Sequence, residues 1–266
     1  MLRDLFIRIK SGTEYLNYGR DIIADWGADF LIHILNAQDK KSQLLRILDL
    51  GCGHGTDLLN IKNRVVESLG EAVTIELHGI ENYEDYILEC KNEGIRIQTI
   101  DIEKERFSFA NSELDLLIAN QILEHTKEIF WIMSEAARVL KPGGRFLVGV
   151  PNLASLHNRL LLLFGEQPTA QQSLSAHIRG FTKPDFTKFA EEGGFFRVTA
   201  FRGSNFYPFP PIISRSLSRL FPSFAFGIFF LLERTERNGS FLEYLKNNLL
   251  ETPFYGGPAN PARSEV

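Results

Sequence analysis

Apolar residues recur along this chain in two rhythms, and the changes between them mark its elements. From residue 13 to 35, Ile23, Trp26, Gly27, Phe30 and Ile34 share one helical face. The apolar run 44–50 then ends in Gly51-Cys52-Gly53-His54-Gly55, which predicts a buried strand closing in a tight turn. Helical spacing resumes over 57–69, with Leu58, Ile61, Val65 and Leu69 on one side. A second strand, 77–81, ends in Glu81, and Asn82 is expected to cap a helix carrying Tyr83, Tyr86, Ile87 and Cys90, with Asp85 at its third position. Residues 95–100 alternate as a strand should and stop at Asp101-Ile102. The run 113–120 is a fourth strand, leading into Gln121-Ile122-Leu123-Glu124-His125. Ile129, Ile132, Met133, Ala136 and Leu140 make another helical face, stopped by Lys141-Pro142-Gly143-Gly144. A fifth strand, 145–150, ends at Pro151-Asn152.

The last third breaks this rhythm. Residues 153–179 interrupt it with an apolar patch at 160–164 and then Gly-Glu-Gln-Pro. Thr182 reads as an N-cap, with Pro184 in the first turn and Asp185 three residues on. Phe186, Phe189 and Ala190 form the expected buried face, closed by Gly193-Gly194. Sixth and seventh strands are expected over 195–202 and 224–233, with a short helix over 241–250 and a loose Gly/Pro-rich end from 253 to 266. Between the last two strands, 205–223 is rich in Phe, Pro and Ser and carries Arg215 and Arg219 one helical turn apart. The preferred expectation there is a lid helix packed on the core. Two other readings are a wall of an apolar acceptor pocket and a peripheral membrane contact.

Composition narrows the partners. The 266 residues are 44% hydrophobic and 23% charged, with a formal net charge of −4. That balance suits a globular domain and gives no general argument for nucleic acid. Cys52 and Cys90 are the only cysteines, too few for a disulfide framework or a four-ligand metal site. A reducing, cytoplasmic setting is expected. Arg3, Asp4, Arg8 and Lys10 interrupt the first ten residues, which therefore lack a signal-peptide core. The longest apolar run, 224–232, is about half the ~20 residues a spanning helix needs.

The glycine turn sits where an open α/β sheet binds ligands. A dinucleotide fingerprint would place its third glycine at Thr56 or Leu58, and neither is glycine; Gly-Lys-Ser/Thr of a P-loop is also missing. Asp49-Leu50-Gly51-Cys52-Gly53-His54-Gly55 resembles motif I of the class I S-adenosylmethionine-dependent methyltransferases. Glu81 resembles their ribose-binding acid, and an acid at that strand end can accept hydrogen bonds from both ribose hydroxyls. Gln121 to His125 resembles motif IV in its Leu-Glu-His form. Residues 137–152 are similar to the family's Arg-Val-Leu-Lys-Pro-Gly-Gly segment.

The resemblance implies a Rossmann-like α/β fold, with a seven-stranded, mostly parallel sheet, one antiparallel strand and helices on both faces. It implies S-adenosylmethionine held by Asp49, Gly51, Cys52, Gly53, Gly55, Glu81, Asn82, Asp101, Ile102, Asn120 and Gln121. Asp101 would read the adenine amino group, with Ile102 packing on the ring. Tyr15 or Tyr18, in the N-terminal helix, could touch the cofactor. The expected organisation is a helical cap over 1–42, a cofactor-binding core over 43–152, substrate insertions completing the sheet over 153–235, and a C-terminal helix and tail over 236–266. The acceptor is expected to be a small, lipid-linked or saccharide molecule, methylated on oxygen.

An oxygen nucleophile must lose a proton, and histidine is the natural base near neutral pH. His125, His157 and His177 all fall near the expected substrate mouth. His177 is the preferred base, and His125 a catalytic candidate for which a structural role is favoured. No metal is expected, because Ala119-Asn120 and Pro151-Asn152 stand where metal-dependent relatives carry acids. A non-catalytic S-adenosylmethionine-binding module and a nicotinamide-dependent oxidoreductase are the alternatives.

Overall fold

The glycine-bounded apolar runs pair into one sheet in the computed structural model, which describes residues 13–37, 44–70, 73–207, 209–246 and 254–258. The side chains of residues 13–18, and so the contacts expected of Tyr15 and Tyr18, lie outside the described residues, as do residues 1–12. In chain order the elements are α1 (Thr13–Ala37), β1 (Leu45–Leu50), α2 (Thr56–Leu69), β2 (Ile75–Ile80), α3 (Glu84–Asn92), β3 (Arg96–Gln98), β4 (Leu114–Asn120), α4 (Ile129–Val139) and β5 (Leu140–Pro151). There follow α5 (Leu156–Leu163), α6 (Lys183–Glu191), β6 (Phe196–Ser204), α7 (Pro211–Leu220), β7 (Gly227–Arg234) and α8 (Phe241–Lys246).

The strand order is β3-β2-β1-β4-β5-β7-β6. Pairings from β3 through β5 are parallel, and β7 runs antiparallel to both its neighbours. This is the expected sheet with one reversed strand. The chain runs outward from β1 to β3 and then returns to place β4 on the other side of β1. That reversal opens a crevice at the strand ends, where ligands bind in such sheets.

Alternation within the strands explains the two cores. Leu48 and Leu50 of β1, Leu117 and Ala119 of β4, and Phe146 and Val148 of β5 face α4, α6 and α8. Leu45, Ile47, Leu116, Ile118 and Leu147 face α1 and α2 on the other side. The expected boundaries shift where local bonding decides them. Helix α3 starts at Glu84 after Tyr83, not after a cap at Asn82, because the N–H groups of Asn82 and Tyr83 both donate to the Glu81 carboxylate. The Lys-Pro-Gly-Gly run is already part of β5, since Leu140 pairs with Leu114 and Lys141 reaches Asp115 at 2.6 Å. β7 begins at Gly227, later than expected, because Pro222–Phe224 winds into a 3-10 turn. The expected helix over 241–250 is described as far as Lys246. Thr182 does cap α6, accepting from the Asp185 N–H at 3.4 Å.

Asn152 fastens the last third to the sheet. Its buried amide donates to the carbonyls of Ser223 and Ala225, at 2.9 and 2.8 Å, and accepts from the Ala154 N–H at 3.0 Å. Asn152→Ala leaves these groups unpartnered, and is expected to destabilise the chain by about 2 kcal/mol. The measurement is a lowered urea midpoint at unchanged slope; an unchanged midpoint refutes the fastening role.

Candidate active site

Burial of the apolar β1 residues brings Asp49 to the lip of the sheet, and the chain then turns on glycines in left-handed conformation. Gly53 has φ 52° and nothing within 4 Å of where a Cβ would sit, so its backbone borders open space. Gly55 has φ 71°, and a Cβ there would lie 2.3 Å from Ile95 Cδ1 and 3.3 Å from Cys90 Sγ. Conformation and crowding therefore both require glycine at 55. Gly55→Ala is expected to cost about 2–3 kcal/mol from left-handed strain plus overpacking, read as a lower urea midpoint. A loss within experimental error would show that the turn relaxes freely.

Beyond the turn lies a cavity of about 340 Å³. Its walls include Arg20 of α1, Asp49, Gly51, Gly53, Asp57 of α2, Asn120 at the end of β4 and Gln121 after it, Ser204 of β6 with Asn205 after it, and Phe226 just before β7 with Phe229 in it. Asp49 is 3% exposed. Burial raises its pKa well above the usual carboxylate range, the neighbouring Asp57 adds to that, and Arg20 opposes it. Asp57 accepts from Arg20 Nη1 at 3.2 Å and from Asn120 Nδ2 at 2.8 Å. Burial raises its pKa too, while Arg20 and Asn120 favour the anion. One acid thus ties α1, α2 and β4 around the cavity. Asn120 Oδ1 is buried without a partner among the described residues. A Cβ at Gly149 would come within 2.4 Å of that oxygen and 2.6 Å of the Phe229 ring, so glycine there makes room for both.

Glu81 stands at the end of β2. Its carboxylate accepts from the backbone N–H groups of Gly53, Asn82 and Tyr83 at 2.9, 2.8 and 2.9 Å. It therefore clasps the glycine turn to the entry of α3. Glu81, Asn82, Asp101 and Ile102 lie beside the cavity rather than in its walls, along the open ends of β2 and β3. Asn82 Nδ2 donates to the Ile100 carbonyl at 3.1 Å. The Asp101 carboxylate accepts from Lys104 Nζ at 2.8 Å and from the Glu103 N–H at 2.9 Å, and these two bonds lower its pKa in that order. Its oxygens thus already bond within their own turn. Cys52 points its sulfur at Gly79, where a Cβ would be 2.3 Å away, and burial pushes its thiol pKa upward. Cys90 donates to the Gly53 carbonyl at 3.2 Å.

Gln121 takes a left-handed backbone, φ 58°, and its N–H donates to the Gly149 carbonyl at 2.8 Å. The 3-10 turn Leu123–His125 follows. The Glu124 carbonyl accepts from the N–H groups of Ile178 and Arg179, at 2.8 and 3.2 Å, which lays the 176–179 segment on this turn. The His177 and His125 rings consequently meet edge to face at 4.6 Å. Glu124 is 1% exposed, its two carboxylate oxygens have no hydrogen-bond partner among the described residues, and burial pushes its pKa up to about 7. Glu124, His125 and His177 offer ligand atoms within 4.8 Å of one another, a group that could hold a cation or move a proton. His157 is different. It is buried, with Nδ1 at 3.1 Å from Ser155 Oγ and Nε2 at 3.1 Å from Thr169 Oγ1. Both ring nitrogens are engaged, so it serves the fold. Sequence reasoning missed Arg20, Asp57, Gly149 and the β6–β7 residues. Only Asp57 carried a signal, as an acid in the first turn after the glycines.

The family model for "Methionine biosynthesis protein MetW" matches residues 29–192. The chain belongs to the MetW family. That match spans the glycine turn, Glu81, the Leu-Glu-His turn and α6. Outside it lie most of α1, and the β6, α7 and β7 region that closes the cavity. The chain is 29% identical over 112 residues to an uncharacterised 37.1 kDa protein in transposon TN4556 of Streptomyces fradiae, covering 41% of this chain and 31% of that protein. It is 25% identical over 108 residues to a ubiquinone biosynthesis O-methyltransferase of Rhizobium leguminosarum bv. trifolii, covering 41% of each. The chain thus spans less than half the length of these curated relatives. In structure it superposes on the DszA carbon methyltransferase with a TM-score of 0.56 at 15% identity, covering 82% of this chain and 55% of that one. At that identity the likeness is one of fold. The fold is the class I methyltransferase sheet expected from the motifs.

Proposed function

We propose that this chain is an S-adenosylmethionine-dependent methyltransferase that methylates an oxygen of a small, lipid-linked or saccharide acceptor. The observation that carries the reading is Glu81, hydrogen-bonded to Gly53 at the crevice between β1 and β2. Its Oε2 accepts only the Gly53 N–H and so retains a lone pair for a ribose hydroxyl, a role an acid at this strand end can fill. Asp49, a carboxylate buried in the cavity wall with no hydrogen bond among the described residues, suits the cationic methionine end of such a cofactor. Asn120 and Gln121 border the end where the methyl would be presented. Ile102, half-buried beside Asp101, offers an apolar surface to the adenine.

When bound, the cofactor supplies an electrophilic sulfonium methyl. The chain's own work is positioning: nucleophile and methyl must be held about 3–3.5 Å apart and in line. His177, fixed on the Leu-Glu-His turn three residues beyond Gln121, takes the acceptor proton. The relative named as an O-methyltransferase supports oxygen as the methylated atom. Titration calorimetry with S-adenosylmethionine and with a nicotinamide dinucleotide tests the cofactor. Mass-spectrometric detection of S-adenosylhomocysteine, formed with phenolic, lipid-linked and saccharide acceptors, tests turnover. Binding without product across all acceptors would favour a non-catalytic module, and preference for the nicotinamide would refute the reading.

A further inference from the structure

Helix α7 is built inside out. It turns Ser214 and Ser218 to the protein, both at most 2% exposed, while Ile212 is 85% exposed and Leu220 71% exposed. Ser214 Oγ accepts from the Phe206 N–H at 2.6 Å, whereas Ser218 Oγ is buried with no partner among the described residues. The expectation from sequence is a lid helix packed on the core; α7 does pack on the protein, through its serines and not through its apolar stripe. On the helical wheel Ile212, Ile213 and Leu220 form one stripe, and Arg215 and Arg219 form the stripe beside it. The apolar surface continues past the helix. Phe221 is exposed, and the Arg159 guanidinium of α5 sits 4.7 Å over the Phe224 ring, joining the 222–224 turn to α5. Helix α5 and the residue after it expose Leu163 and Phe164. The segment from residue 205 to 232, which includes α7, carries Arg215 and Arg219 and no aspartate or glutamate, in a chain of net charge −4.

We propose that the face formed by α7, the 222–224 turn and α5 lies on the surface of a bilayer containing anionic lipid. An exposed apolar stripe flanked by basic residues is the pattern of a helix lying in the lipid interface, and the Arg215 and Arg219 flank complements anionic headgroups. Among the described residues no helix is long and apolar enough to cross a membrane, so the contact is made from one side. Asn205 and Phe226, at the two ends of the α7 connection, line the cavity. The lipid contact therefore sits on the element that closes the cavity, and an acceptor held in the bilayer can reach it without full extraction into water. The surface contact does not depend on the reaction proposed above, and its test uses no methyl donor.

The test is flotation of the full chain with vesicles of phosphatidylcholine alone and of phosphatidylcholine mixed with phosphatidylglycerol. The chain is expected to float with the anionic vesicles and to be released by added salt. Ile212→Asp with Leu220→Asp, at exposed positions, should lower partitioning at least about tenfold with unchanged circular dichroism and melting temperature. Arg215→Ala with Arg219→Ala should lower it roughly 30-fold on anionic vesicles only. Failure to float with anionic vesicles overturns the proposal, as does equal flotation on neutral vesicles or full binding by the double aspartate variant. Sedimentation equilibrium supplies the other occupant: a dimer that the aspartate variant dissolves would assign the face to a second copy and overturn the bilayer.

Discussion

Glu81→Ala is expected to weaken S-adenosylmethionine binding about 10- to 100-fold, measured by calorimetry, with the fold retained. A ribose hydroxyl donating to the free site on this charged group contributes about 1.5–3 kcal/mol, and each 1.4 kcal/mol is tenfold in affinity. The same carboxylate holds the Gly53, Asn82 and Tyr83 N–H groups, so its removal also loosens the glycine turn. These two effects separate experimentally. Glu81→Gln keeps an oxygen for the turn but replaces one acceptor with a donor, so it should recover part of the affinity. Hydrogen exchange at Gly53 reports the turn directly. Because Glu81 is only partly buried, water can replace it on the backbone groups, and the melting temperature should fall by a few degrees at most. A dissociation constant within threefold of the parent would remove Glu81 from the cofactor site.

The sheet was legible because its signals are local. An apolar run of strand length ended by glycine or an acid can pack only one way into a parallel sheet covered on both sides. Glu81 and Asn120 could be placed for that reason, each standing where such a run stops, and Asp49 because it stands just before the glycine turn that ends its run. The polar network behind them was not legible. Asp57 meets Arg20 and Asn120 across separations of 37 and 63 residues, and no periodicity records which polar groups will share a buried partner. Asp101 shows a related gap: strand end and residue type were right for a ligand contact, yet Lys104 and Glu103 already bond its carboxylate. Helix α7 shows the deepest one. Its apolar residues were visible at helical spacing, and the ordinary inference is that such a stripe faces the core. Which stripe is buried depends on what stands opposite, and here the Phe206 N–H meets the Ser214 hydroxyl.

The remaining large effect concerns the proton. His177→Ala is expected to lower turnover about 100- to 10,000-fold, the range for removal of a positioned general base, while leaving the dissociation constant for S-adenosylmethionine within a few-fold. The separation of the two readouts follows from the geometry. His177 lines no part of the Asp49 cavity, so cofactor contacts survive its loss. Its placement comes from backbone bonds, Ile178 and Arg179 to the Glu124 carbonyl, and from Arg179 reaching the Thr126 and Lys127 carbonyls at 3.1 and 2.5 Å. Truncating the imidazole leaves those bonds intact, so the segment should keep its position and the loss should fall on chemistry alone. The neighbouring His125 gives the contrast. Its Nδ1 lies 3.3 Å from the Ala176 carbonyl, a contact that holds the segment. His125→Ala should therefore lower the melting temperature as well as the rate, and His177→Ala the rate only. Unchanged turnover of His177→Ala with every accepted acceptor would assign the proton to another group, or to water.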